Sequence, residues 1–441
     1  MEVTHRELIA KVPPSELGRD WSELPSDLLL HIFGKLDIPD VFSSGAVCRN
    51  WHSTYLEARR CGSFSPDQSP CLIFSSSCCH PKTVTLQNLI TEKVYHITLP
   101  DPPFRDRFVM GSSYGWLITA DDGSHLFLVN PVTGHQIAMP PPETMKNVKL
   151  RSNTEGALDR YDHLYLNLDM LPGFGIHKVQ HLSLEEGRFY FYMRVILSSD
   201  PSSGNCIVVT LHLLEGVIFF TRVGDSQWTC LDVDYRCCRY HDVFYSSYHN
   251  LFYAIRDNGD VDSIDLSGPS PVFNIVIQTG ITVVDNRKYI VGSDWGDLLQ
   301  VWRYHKYVGD DPRTNTMAVY KIDLVEKKLV EVKDLQGYAL FMGFTGAFFL
   351  HVKDFPMLAP DNIYYTDDYV EWIFFKRFGF REIGAFSLKD GSFTDLLPLD
   401  SRLNWPPPVW IRPSCPGTFL NNLENALVDE FQSFSGQVDA C

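Results

Sequence analysis

The sequence predicts a chain in two parts: a small three-helix module, then an all-β domain of propeller type with six or seven blades. Three observations carry this prediction. Residues 21–61 place apolar side chains at helical spacing. From Cys71 to about Pro413, short apolar or aromatic runs alternate with turn residues. Aromatic residues make up 13% of the chain, which favours pleated surfaces. An array of two-sheet sandwiches is the competing architecture. The boundaries read as an N-terminal arm at 1–20, the helical module at 21–61, the β domain at 71–413 and an acidic tail at 417–441.

In the module, Leu28, Leu29, Ile32, Phe33 and Leu36 recur at helical spacing and form one apolar stripe. Ser26 reads as the N-cap of that helix. Pro39, after Asp37, suits a first helical turn, so a second short helix is expected through Val41 and Phe42. A third is expected to carry Val47, Cys48, Trp51 and Tyr55 on one face. Three helices of this length bury too little surface to be very stable alone, so the module is expected to dock on another surface.

In the β domain, each of the stretches 89–100, 126–142, 251–266, 317–332 and 383–398 reads as strand, tight turn, strand. Asn258–Gly259 and Asp390–Gly391 are the clearest hairpin signals. Turn centres fall near residues 91, 133, 225, 258, 326 and 390. The gap between 133 and 225 leaves room for one unit without a clear turn. With that unit counted the mean spacing is about 50 residues, a length that suits propeller blades. A closed ring also leaves few strand edges exposed. The stretch 405–414, WPPPVWIRPS, is expected to return a strand to the first blade and close the ring. Residues 142–163 and 306–316 read as long polar loops, and a short helix is expected around Leu423–Phe431.

Composition narrows the function. The net charge of −16 argues against nucleic acid or an anionic membrane as a general partner. The N-terminal residues carry charges throughout and do not resemble a secretory signal. Leu335–Val352 holds 18 residues without charge, but its glycines, Gln336 and His351 point to two buried strands rather than a membrane span. An intracellular protein of nucleus or cytoplasm is expected. Eleven cysteines cannot all pair internally. Cys78–Cys79–His80 and Cys230, Cys237, Cys238 and His241 come nearest to ligand clusters. Their spacing suits zinc poorly, so free thiols are expected and no metal.

The enzyme signatures in the chain are incomplete. Gly111–Gly115 matches G-x-S-x-G around Ser113, but the β-prone Trp116–Thr119 follows where a nucleophile elbow needs a helix. Gly173-Phe-Gly175 lacks the third glycine of a dinucleotide loop, and no phosphate-binding lysine loop occurs. Asp310–Asp311 and Asp367–Asp368 are read as solvated loop acids. The chain is expected to be non-catalytic and to need no cofactor.

Residues 21–61 resemble the F-box. The matching residues are Trp21, Leu24–Pro25, Asp27–Leu28–Leu29, Ile32–Phe33, Leu36, Pro39–Asp40–Val41 and Val47–Cys48 with Trp51, in F-box order and spacing. Residues 111–142, 289–304 and the closing W-x-x-P-x-W region resemble a large plant group of F-box proteins with a C-terminal kelch-like domain of unassigned function. The resemblance implies docking on a Skp-type adaptor, and through it a cullin and a RING subunit. It implies that Trp21, Leu24, Pro25, Leu28, Leu29, Ile32, Phe33, Leu36, Val41, Val47, Cys48 and Trp51 bind the adaptor. The expected function is substrate recognition in a ubiquitin ligase, with the protein target on the propeller and no particular target implied. The second reading is an adaptor-binding scaffold acting outside a ligase.

Overall fold

The computed structural model describes residues 20–61, 64, 68–167, 176–214, 216–231, 239–281, 286–344, 347–396 and 402–414. The expectations for the N-terminal arm, Gly173–Gly175, Cys237, Cys238, the acidic tail and its helix at Leu423–Phe431 lie outside the described residues. The chain divides into two compact units, one ending at Ser65 and one beginning at Pro66.

The first unit opens with a single 3-10 turn at Trp21–Glu23, followed by α1 (Ser26–Phe33), α2 (Ile38–Gly45) and α3 (Arg49–Cys61). Ser26 is the first helical residue and not the cap: Pro25 precedes it in extended backbone, and no side chain caps the helix. The third helix starts after Val47 and Cys48, so these two lie in the connection and not on its face. Pro39 does sit in the first turn of α2. There its missing amide proton costs nothing, because that amide has no partner within the helix. Gly45 ends α2 against Tyr55, where a Cβ would lie 2.9 Å from the Tyr55 ring.

The core of this unit is Leu29, Phe33, Val41, Tyr55 and Ala58, with Leu24, Leu36, Phe42 and Trp51 packed against it. Phe33 meets Trp51 edge-on at 6.0 Å, and Phe42 meets Tyr55 at 5.3 Å. Such edge-on pairs suit the ring quadrupoles.

The second unit is a β-propeller. Seven sheets are described. Six form a ring: the inner strands of the first five blades lie beside one another in turn, the fifth and sixth share one core, and Asn362–Thr366 of the sixth lies beside Val409–Ile411 of the first. The first blade combines Val409–Ile411 with Cys71–Phe74, Thr83–Asn88 and Val94–Thr98, so the chain's last described strand closes the ring as expected. The second is Phe108–Ser113, Trp116–Ala120, Leu126–Val129 and Gln136–Ala138. The third runs from Arg194–Leu197 to Thr229–Cys230, the fourth from Tyr240–Ser246 to Val272–Ile277, and the fifth from Arg287–Gly292 to Lys328–Val332. The sixth has five strands, in which Tyr338–Met342 and Asn362–Thr366 pair in parallel.

Each expected turn falls in a different one of the six blades. The long gap between 133 and 225 does not hide a blade. It holds a three-stranded meander, Val148–Ser152, Leu158–Asn167 and Ile176–Ser183, attached outside the ring. The expected loop at 142–163 is therefore half strand. Its polar residues cover the meander's exposed face, where Arg151 and His181 both pair with Asp162. The expected loop at 306–316 is likewise the end of a long hairpin, with Lys306 opposite Arg313 and Val308 opposite Asp311. The uncharged stretch 335–352 does contain two strands, Tyr338–Met342 and Phe348–His351. No helix among the described residues is long and apolar enough to cross a membrane.

Burial explains the strand patterns. Cys71–Phe74 and Trp116–Ala120 are buried at every position, because both faces of a blade pack against its neighbours. Outer strands have water on one side. Val94–Thr98 accordingly alternates half-buried and exposed residues.

Candidate functional site

The helical unit presents an apolar surface that its own core does not use. On α1, Leu29 and Phe33 point inward, while Leu28 and Ile32 point outward with exposures of 54% and 36%. The two pairs are each four residues apart, so they occupy neighbouring stripes of one helix. Trp21 is 62% exposed and Val47 61% exposed, and Pro25 is also exposed. Leu24, Leu36, Cys48 and Trp51 are half-buried. Leu29, Phe33 and Val41 are fully buried and shape the surface from below without forming part of it. A single apolar stripe cannot show which half faces in.

Side-chain hydrogen bonds hold the edge of this surface. Asn50 donates through Nδ2 to the carbonyls of Ser22 and Leu24, both at 2.9 Å. The Trp51 indole donates to the Trp21 carbonyl at 2.9 Å. Asp20 accepts from the Ser22 amide at 3.0 Å and caps the opening turn. The Trp21–Pro25 segment is thus clamped to α3. Sequence reading missed Asn50, since its partners lie 26 and 28 residues away.

The propeller unit carries a central cavity of about 460 Å³. The inner strands of several blades contribute to it, including Tyr114, Leu197, Tyr245 and Phe348, with Arg412 and Ser414 from the closing segment. A neighbouring cavity of about 400 Å³ shares Tyr114, Phe244, Tyr245, Phe348 and Arg412 with it.

Ser113 lies at this mouth, in a strand-to-strand hairpin. It pairs with Trp116 across Tyr114–Gly115, and both turn residues have positive φ, 51° and 77°. A Cβ on Gly115 would overlap Ser414 at 2.0 Å, so the turn needs glycine for space as well as for φ. The Ser112 hydroxyl donates to the Trp410 carbonyl at 2.5 Å, and the Ser414 hydroxyl donates to the Tyr114 carbonyl at 2.5 Å. These glycines and serines hold the closing strand to the second blade.

Asp367 and Asp368, expected as solvated loop acids, are instead buried in an ion network that anchors the wall of the cavity. Asp368 is fully buried. It accepts from Arg194 and Arg303, each at 3.0 Å, and from the Tyr289 hydroxyl at 2.6 Å. Burial raises its pKa, but the guanidinium charges of Arg194, Arg303 and Arg287 outweigh burial and hold the carboxyl below its usual value. Asp242 lies beside Arg194 at 3.5 Å and accepts from the Ile290 amide at 3.0 Å. For this carboxyl burial wins and pushes it up to about 7. Asp367 is pushed up to about 6 by burial. The groups come from blades three to six, so the network ties four blades together at the axis. Asp310 is exposed at a hairpin tip, as expected, whereas Asp311 is half-buried and pairs with Arg313 at 3.7 Å and Lys376 at 3.4 Å.

Cys78, Cys79 and His80 do not converge on one point. Cys79 faces His96 at 3.4 Å and not the adjacent His80, and Cys78 meets the Ser76 hydroxyl at 3.0 Å. Among the described residues, no group of three or more His, Cys, Asp or Glu side chains could hold a metal ion.

The KIB1-4 beta-propeller family matches residues 85–387, and the F-box-like family matches residues 21–55. The chain belongs to the KIB1-4 beta-propeller family and carries an F-box-like module, the arrangement of plant F-box proteins. It is 22% identical to F-box protein SKIP23 of Arabidopsis thaliana, over 89% of this chain and 95% of that one. It is 24% identical to F-box/kelch-repeat protein At1g57790 of the same plant, over 72% of this chain and 74% of that one. F-box protein At2g17036 is 23% identical, over 90% and 95%.

Proposed function

We propose that this chain is a substrate receptor of a Skp–cullin–F-box ubiquitin ligase. The helical module docks on the Skp-type adaptor, and the propeller grips a protein target. The observation that carries this reading is the outward stripe of Leu28 and Ile32, flanked by Trp21, Pro25 and Val47, on a module whose core is complete without them. Exposed apolar area of this kind is stabilised by covering it, at about 25 cal/mol per Å² removed from water.

The mechanism is proximity. Holding a target beside the charged ubiquitin carrier raises the effective concentration of its lysines. The chain then supplies binding and orientation, and the transfer chemistry belongs to other subunits. The hairpin setting of Ser113 agrees with that division.

Replacing Leu28 and Ile32 by aspartate tests the docking step. Each buried aliphatic side chain contributes about 1.5–3 kcal/mol, so the pair accounts for roughly two to four decades of affinity. The full-length variant is expected to lose adaptor capture while keeping the wild-type circular dichroism spectrum. Undiminished capture rules out this docking face.

A further inference from the structure

We propose that the central cavity of the propeller takes a basic side chain, arginine or lysine, from the protein it binds. This deepens the receptor reading and rests on it. Three observations point to this chemistry.

The first is the wall. Tyr114, Phe244, Tyr245 and Phe348 line both adjoining cavities. Aromatic faces attract cations through their quadrupole, most strongly where water is excluded. The second is that this wall already holds one. The Arg412 guanidinium lies over the Phe348 ring, 5.8 Å from its centre.

The third is charge. Asp200 and Asp242 line the central cavity, and Asp294 and Asp297 line its neighbour. Arg412 is the only lysine or arginine among the described lining residues. Asp242 is already matched by Arg194, and Asp297 by Lys321 at 2.7 Å. Asp294, exposed at the rim, lies in the field of the Arg412 guanidinium. Among the described residues the Asp200 carboxylate accepts hydrogen bonds from neutral donors alone, Trp116 Nε1 at 3.1 Å and the Ser202 amide and hydroxyl at 2.8 and 2.7 Å. An incoming cation therefore meets aromatic faces with the Asp200 carboxylate beside them. A cavity of about 460 Å³ holds a long side chain. The adjoining cavity leaves room for flanking residues.

The test uses purified full-length protein with its adaptor, and immobilised dodecapeptides of glycine, serine and alanine. Each carries one central arginine, lysine, leucine or glutamate. Arginine and lysine peptides are expected to be retained roughly tenfold better than the leucine and glutamate peptides. Asp200→Asn is expected to abolish the preference, and Tyr245→Leu to weaken retention of both basic peptides. Equal retention of the glutamate peptide overturns the proposal, as does a basic preference that neither variant changes. Adaptor capture by the same preparations reads the receptor assignment separately. If the adaptor binds but no basic preference appears, this inference fails alone. If the basic preference appears without adaptor capture, the receptor assignment fails instead.

Discussion

Neighbouring residues on α1 have opposite tasks. Leu29 and Phe33 are fully buried, and Leu28 and Ile32 stand beside them facing out. Leu29→Ala is expected to cost about 2–5 kcal/mol and to unfold a module this small, whereas Leu28→Ala leaves it folded. Thermal melting of the two variants, followed by helical circular dichroism, separates these outcomes. Equal melting would contradict the assignment of faces. At the propeller axis the decisive residue is Asp368. Asp368→Asn leaves Arg194 and Arg303 buried with less than their matching charge. Breaking such a pair is expected to cost about 3–5 kcal/mol in urea unfolding. A loss below about 1 kcal/mol would mean that solvent reaches the network. The sequence could not reveal this role. The partners of Asp368 lie 174, 65 and 79 residues away, and two adjacent acids in a polar stretch look solvated. The helical stripe, by contrast, was legible, because helix periodicity is a local property. Which side of it faced inward depended on α2 and α3.

At the scale of elements, the hairpins were readable and the meander was not. Asn258–Gly259 and Asp390–Gly391 place glycine at positive φ, 88° and 72°, a requirement met within a few residues. Strands of the meander at 148–183 carry polar residues on their exposed face, which read as loop. The meander's buried face packs through Val148, Tyr161 and Leu182 into the main core. There His163 and His212 stand 3.3 Å apart, with His212 stacked on Phe219. Burial holds His163 down to about 4 and His212 well below its usual value. The unfolded chain takes up these protons near 6.5, before the folded chain does. Between those values the unfolded state holds more protons, so stability present above about 6.5 is lost as pH falls toward 4. Hydrogen exchange is expected to show Val148–Ser152 and Ile207–Leu211 losing protection at pH 5 relative to pH 7. His163→Phe should flatten that dependence. An unchanged pH profile in the variant would assign the loss to other groups.

At the scale of the molecule, the six described blades give a closed ring with a central cavity, and the helical unit gives an exposed apolar face. Our reading assigns each unit one partner, so the two binding events should separate by mutation. The most direct measurement compares wild-type chain with Leu28→Asp/Ile32→Asp, each full length, purified from plant cells with the proteasome blocked and unblocked. The variant is expected to lose the adaptor and cullin while retaining the same propeller-bound proteins. In unblocked cells those proteins should persist with the variant and be depleted with wild type. Adaptor retained by the variant, or a bound set that changes along with the adaptor, would contradict a receptor whose helical module and propeller hold separate partners.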